Sequence, residues 1–166
     1  MSISMKPKIN KTDFGSITIE KKEFDFDVII NLDGQVKKRK KKLSKNIYGT
    51  SHIISLDEAK YVYKKGANDL IIGAGQNSQV SLSKEAVDYF KRKKCTVSLF
   101  STPEAMEKWN SREEKKTIGL FHITCWILLY SSFFFLIVVT TDSLKLLHLP
   151  SLSDVNLQIS GDKEVR

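Results

Sequence analysis

The residues of this chain whose types and spacing could do chemistry are two histidines beside apolar runs, a glycine-rich turn and a pair of carboxylates. His122 and Cys125 stand three apart, a spacing that suggests a nucleophile with its base or half of a metal site. On a strand the pairing fails, because residues three apart point to opposite faces. His122 would side with Leu120 and Thr124, and Cys125 with Phe121 and Ile123. The two meet only if the strand ends between them or the segment is helical, so the preferred reading is a hydrogen-bonded structural His and an apolar Cys. Cys95 follows Lys93 and Lys94, cations that can lower a thiol pKa, but burial is the simpler account of it. Asp25 and Asp27 could share acid–base work. Their alternation with Phe24, Phe26 and Val28 reads instead as the wet face of a half-buried strand.

Gly73-Ala74-Gly75 follows a short apolar run and invites a dinucleotide-binding reading. The full fingerprint needs a third glycine where Ser78 stands, and a helix opening at once, whereas the nearest helix cap is Ser83. A tight turn is the better reading. In open α/β sheets ligands bind at the carboxyl ends of strands, so Gly73, Gly75, Gln76 and Asn77 are the expected rim of any pocket.

The elements that must position these residues are legible as patterns. Phe14–Glu20 and Phe24–Ile30 alternate as strands, and Asp33-Gly34 turns the second into a partner over Gln35–Lys42. Asn46–Ile54 reads as irregular. Ser55-Leu56-Asp57-Glu58 is a capping box opening a helix that Gly66 follows. Asp69–Gly73 is a continuous apolar strand, and Gln79–Leu82 a short one. Ser83 caps a helix ending in Lys91-Arg92-Lys93-Lys94. Thr96–Phe100 is another buried strand, Thr102-Pro103-Glu104 opens a helix with Thr102 as cap, and Thr117–Thr124 is a final strand. Strand and helix alternate from Asp69 onward, which implies parallel neighbours covered by helices.

Composition narrows the class. The chain has 166 residues, 41% hydrophobic and 28% charged, which excludes wholesale disorder. Two Cys exclude a disulfide scaffold and a four-cysteine zinc site. The beginning is polar and Lys-rich, without the apolar segment of a secretory signal or the character of a mitochondrial presequence. The net charge is +8, and residues 126–166 hold three cations against four acids, so the excess lies in the first 125 residues. It peaks at Lys37-Lys38-Arg39-Lys40-Lys41-Lys42. A run of this kind can attract polyanions. A solvated edge strand is the preferred account, and with no aromatic interleaved, base stacking is not supported.

From Thr117 to Thr141 there is no charge. As one helix these residues would span about 37 Å, enough to cross a membrane, with residues 118–139 as the contact. If Ile118–Thr124 is instead the last strand, Trp126–Val139 spans only about 21 Å as a helix. The strand is the favoured account.

Leu70-Ile71-Ile72-Gly73-Ala74-Gly75-Gln76, Thr102-Pro103-Glu104-Ala105, Asn110 and Phe121-His122-Ile123-Thr124-Cys125, with Phe14-Gly15-Ser16-Ile17 and Tyr48-Gly49-Thr50-Ser51-His52, resemble the adipogenesis-associated Mth-type domain family. That family includes a relative serving as a mitochondrial complex I assembly factor. The resemblance covers about residues 13–125. It implies a three-layer α/β fold around a central mixed sheet and no established enzymatic activity, in agreement with the antiparallel β unit at the N-terminus and the strand–helix alternation read from the pattern. It adds His52, Asn110 and His122 to the candidate ligand-binding residues, and leaves two readings of His52, one that approaches His122 and one that is a loop residue hydrogen-bonded to backbone.

The expectation is a flexible lead over 1–12, one domain over 13–125, and a hydrophobic then polar extension over 126–166. The favoured function is a small non-catalytic cytosolic domain working through a protein partner, with no cofactor, no metal and no nucleic acid. The alternatives are a small-molecule binder or enzyme using Gly73–Asn77 with His52 and His122, and a single-pass membrane-anchored form.

Overall fold

The computed structural model describes residues 6–113 and 116–123. Ten strands and four helices follow in the order β1 (Ile9–Asp13), β2 (Ser16–Ile19), β3 (Lys22–Phe24), β4 (Val28–Ile30), β5 (Val36–Lys38), α1 (Lys42–Tyr48), β6 (Ile53–Ile54), α2 (Leu56–Val62), β7 (Asp69–Gly73), β8 (Ser81–Leu82), α3 (Lys84–Arg92), β9 (Thr96–Phe100), α4 (Thr102–Ser111) and β10 (Thr117–Phe121). The central sheet has the order β5-β4-β10-β7-β9. β10, β7 and β9 run parallel, while β4 and β5 are antiparallel additions on one side. This is the expected α/β class with a mixed sheet. An antiparallel three-stranded sheet β1-β2-β3 precedes it.

The pleat sorts side chains into two cores. Ile29, Leu70, Ile72, Ile118 and Leu120 face Ala59 and Val62 of α2 and Ala86 and Phe90 of α3. Val28, Ile30, Ile71 and Phe121 face Ala105 and Trp109 of α4 together with Ile9, Ile17 and Ile19 of the small sheet. Alternate residues of one strand therefore serve opposite faces, which is why the central strands read as unbroken apolar runs. All five residues of β10 are buried. Thr117–Phe121 is thus a sheet strand and not the start of a spanning helix. Among the described residues no helix is long and apolar enough to cross a membrane. Thr124, Cys125 and the 126–166 extension lie outside the described residues.

Several local readings differ from the structure. Residues 9–12, expected as part of the lead, form most of β1. Its Ile9 backbone is held on both sides by Asn110 of α4, through N–H to Oδ1 at 3.0 Å and Nδ2 to C=O at 2.7 Å. Phe24–Ile30 is not one strand: it bends over Asp25–Asp27 and resumes as β4. α1 occupies part of the stretch read as strand end and irregular loop. Its N-cap Lys41 makes no side-chain cap and its first turn carries no acid, so it has no sequence start signal. The α4 cap is Ser101, whose hydroxyl accepts from Glu104 N–H; Thr102 lies one residue inside and its hydroxyl is used elsewhere.

Candidate functional site

Three parallel strands end together, and the chain leaving each is locked to the next. After β7, Ala74 N–H donates to Phe100 C=O at 2.8 Å. After β9, Thr102 N–H donates to Gly75 C=O at 3.0 Å, and its hydroxyl accepts from Gly75 N–H at 2.9 Å while donating to His122 C=O at 2.7 Å. After β10, His122 N–H donates to Gly73 C=O at 2.8 Å. Gly75 adopts φ +96°, and a Cβ there would lie 3.1 Å from His122 Cδ2. Glycine is therefore required twice over, for conformation and for room. The turn closes with Ser78 N–H on Gly75 C=O at 3.2 Å, and the following helix, α3, starts at Lys84. The geometry is a tight turn, not a phosphate-binding strand-to-helix loop.

His122 is buried at this junction, with Nδ1 2.6 Å from Asp27 Oδ2. Asp27 is fully buried and also receives Ile123 N–H at 3.1 Å, Arg39 Nη1 at 3.3 Å and Lys41 Nζ at 3.2 Å. Burial pushes its carboxyl up. The hydrogen bond and charge of His122, with Lys41 and Arg39, outweigh that and hold it well below the usual carboxylate range. An ionised Asp27 fixes the His122 proton on Nδ1 and turns the opposite ring edge toward Gly75.

Arg39 extends the cluster inward. Its guanidinium grips Glu58 in two places, Nε to Oε1 at 2.5 Å and Nη2 to Oε2 at 3.1 Å, and donates from Nη2 to Ser51 C=O at 2.7 Å. The two-pronged contact is the geometry that favours Arg over Lys. Ser44 of α1 donates to Glu58 Oε2 and accepts from Ser55 N–H at 2.8 Å. The capping box is therefore half realised. Ser55 Oγ accepts Glu58 N–H at 3.1 Å as expected, but Ser44 closes the return bond because Glu58 is committed to Arg39.

His52 stands half-buried just before β6, its ring 5.2 Å from that of His122 and edge-on at 80°. Burial, then the charges of His122 and Arg39, push its pKa down. Asp27, His122 and His52 thus lead from a buried carboxylate toward the surface. Gln76 is half-buried and reaches Thr12 Oγ1 at 3.4 Å, and Asn77 is exposed on the turn. Asn110 does not join them. It lies eight residues along α4 from Thr102, about 12 Å of helix, and anchors β1. A cleft of about 530 Å3 opens on the far side of Asp27 and Arg39, between Phe26 and Lys38–Leu43. Among the described residues no three His, Cys, Asp or Glu side chains are grouped to hold a metal.

Asp27 was expected on a wet face with Asp25. Asp25 is exposed, but the bend between them turns Asp27 into the core. Within the basic run, Lys37, Lys38, Lys40 and Lys42 are exposed, as a solvated edge requires, whereas Arg39 is 3% exposed and Lys41 half-buried. One signal was available: Arg39 is the single Arg among lysines, the type suited to a buried two-pronged contact. Cys95 is buried, and burial with the Asp69 charge pushes its thiol up to about 11. Burial, not the neighbouring lysines, decides its chemistry.

The fold and site together define a small three-layer α/β domain with an ionic cluster sealed at the carboxyl ends of its parallel strands. A family model described as a protein of unknown function, DUF498/DUF598, matches residues 9–122, and the chain belongs to that family. It is similar to a conserved hypothetical protein of Pyrococcus horikoshii, with 29% identity, 71% of this chain and 99% of the other covered, and a TM-score of 0.66. It is similar also to the protein MT938, with 26% identity, 72% and 99% covered and a TM-score of 0.60. A protein of Bordetella parapertussis, at 15% identity, 73% and 98% covered and a TM-score of 0.57, shares the fold.

Proposed function

We propose that this chain is a non-catalytic binding domain that acts through a protein partner in the cytoplasm. One observation carries the reading: the two outer strands of the central sheet are unlike. β5 carries Lys37 and Lys38 and is followed by Lys40, exposed charges that discourage strand addition. β9, Thr-Val-Ser-Leu-Phe, has no charge and leaves Leu99 40% exposed. The ionic cluster supports the same reading as a rigid brace, since a fully paired buried network fixes one arrangement of the elements it joins. The finer resemblance, to adipogenesis-associated Mth-type domains and an assembly factor among them, is of a kind with a protein-binding role. The test is native size analysis of the tagged full chain in extracts, with chemical crosslinking. A complex of fixed stoichiometry with another protein is expected. A chain recovered alone at every concentration rejects the reading.

A second reading rests on a different observation, the succession of ionised Asp27, buried His122 and half-exposed His52 beside the Gly75–Asn77 turn. A small molecule seated there would meet an imidazole backed by a carboxylate, the arrangement of a general base. Titration with pooled small metabolites, followed by the His52 and His122 imidazole carbon signals, tests it. Shifts abolished by His52→Asn support it, and unmoved signals reject it.

A further inference from the structure

The hydrogen-bonding direction of β9 can be read from its ends. Thr96 N–H donates to Asn68 C=O and Phe100 C=O accepts from Ala74 N–H, each at 2.8 Å, so both residues face the β7 side. In a strand the alternate residues face the other way, which turns the N–H and C=O of Val97 and Leu99 to the outer edge. Beside that edge, between β9 and α3, lies a cleft of about 460 Å3. Leu82, Val87, Phe90 and Leu99 supply apolar walls, and Lys91 and Lys94 are the charged residues among those lining it.

We infer that the β9 edge accepts an extended segment of a partner protein as a sixth strand, one whose residues on the α3 face are apolar apart from an Asp or Glu placed to meet Lys91 and Lys94. This rests on the protein-partner reading above. Main-chain hydrogen bonds to Val97 and Leu99 supply affinity, and the cleft takes alternate side chains. Carboxylates on the segment meet Lys91 and Lys94. A second copy of the chain fits less well, because β9 itself brings no carboxylate to those lysines.

The test selects phage-displayed random linear 12-residue peptides on the full chain and follows amide hydrogen exchange. Enriched peptides are expected to carry apolar residues and an Asp or Glu at every second position, so that both enter the cleft, and to slow exchange at Val97 and Leu99 at least tenfold. Leu99→Lys and the double change Lys91→Ala/Lys94→Ala should each weaken binding at least tenfold while unfolding stays cooperative, the loss of cations at the α3 C-terminus lowering the melting temperature by no more than a few degrees. Peptides that protect other segments overturn the inference, as does a dimer that Leu99→Lys dissociates. So does protection of Val97 and Leu99 in the free chain, which would mean that the chain's own residues fill the site. Absence of enriched peptides while extracts yield a stoichiometric complex overturns this inference alone; absence of both overturns the partner reading as well.

Discussion

Removing the Arg39 guanidinium strikes a cation that touches two buried carboxylates, Asp27 and Glu58. The side chains of Arg39, Asp27 and Glu58 are all 0% exposed. In Arg39→Met, Asp27 keeps His122, Lys41 and Ile123 N–H, but Glu58 keeps Ser44 as its side-chain partner. A buried carboxylate stripped of its cation costs about 3–5 kcal/mol. That is a large share of the roughly 5–15 kcal/mol that holds a domain folded. For a domain a little over 100 residues it corresponds to a fall in Tm of about 10–20 °C. Changing both partners, Arg39→Met with Glu58→Met, replaces the pair by apolar volume and should recover about 2 kcal/mol or more relative to the sum of the single changes. The assay is urea unfolding of the full chain at pH 7 as a double-mutant cycle. The exposed Lys60–Asp57 pair, at 3.7 Å, serves as control, and its loss should cost under about 1 kcal/mol. If Arg39→Met costs no more than that control, or the single changes add within about 0.5 kcal/mol, the cluster is not the dry, coupled unit described.

Stability should depend on pH in two windows. The folded-state pKa of His52 lies below its unfolded value of about 6.5, so its contribution is whole above that pH and declines as acid protonates the unfolded chain first. Asp27, also depressed, contributes above about pH 3.9 and loses that contribution as pH falls further. The urea midpoint should therefore slope gently downward below pH 6.5 and steeply below about pH 4. His52→Gln should flatten the first slope, and a wild-type midpoint level from pH 7 to 5 contradicts the assignment. Gly119→Ala would place a Cβ 2.6 Å from Phe121 and 3.0 Å from Trp109 at the sheet centre. Overpacking there should cost about 2–3 kcal/mol in the same unfolding assay, and an unchanged midpoint would show the contact to be slack. In a Cys125→Ser background, Cys95 should resist a thiol reagent at pH 8 in the native state and react within minutes in urea, because burial holds its pKa near 11. Fast native reaction, followed by absorbance, would place that thiol at the surface.

The strands and caps were legible because local chemistry dictates them. β7 reads as a buried apolar run, Ser55 and Ser83 as helix caps, and Asp33-Gly34 as a hairpin turn, whereas β9, read as another buried strand, lies at the sheet edge with Thr96 and Leu99 exposed. α1 was not legible, because its start has no capping side chain and what holds it is Ser44 reaching Glu58 and Ser55 from a different element. β1 was hidden for a similar reason: its anchor, Asn110, is about a hundred residues away.

The alternation of strand and helix from Asp69 onward, the buried strand that starts at Thr117 and the glycine turn at Gly73–Gly75 follow from the sequence alone, since periodicity and backbone freedom are properties of neighbouring residues. The tertiary structure alone decided that Asp27 lies in the core while Asp25 is exposed, that Arg39 leaves the basic run to hold Glu58, and that His52 stands against His122. Those placements depend on partners 19 to 95 residues apart. A charge enters the interior only where such partners converge to replace the water it gives up.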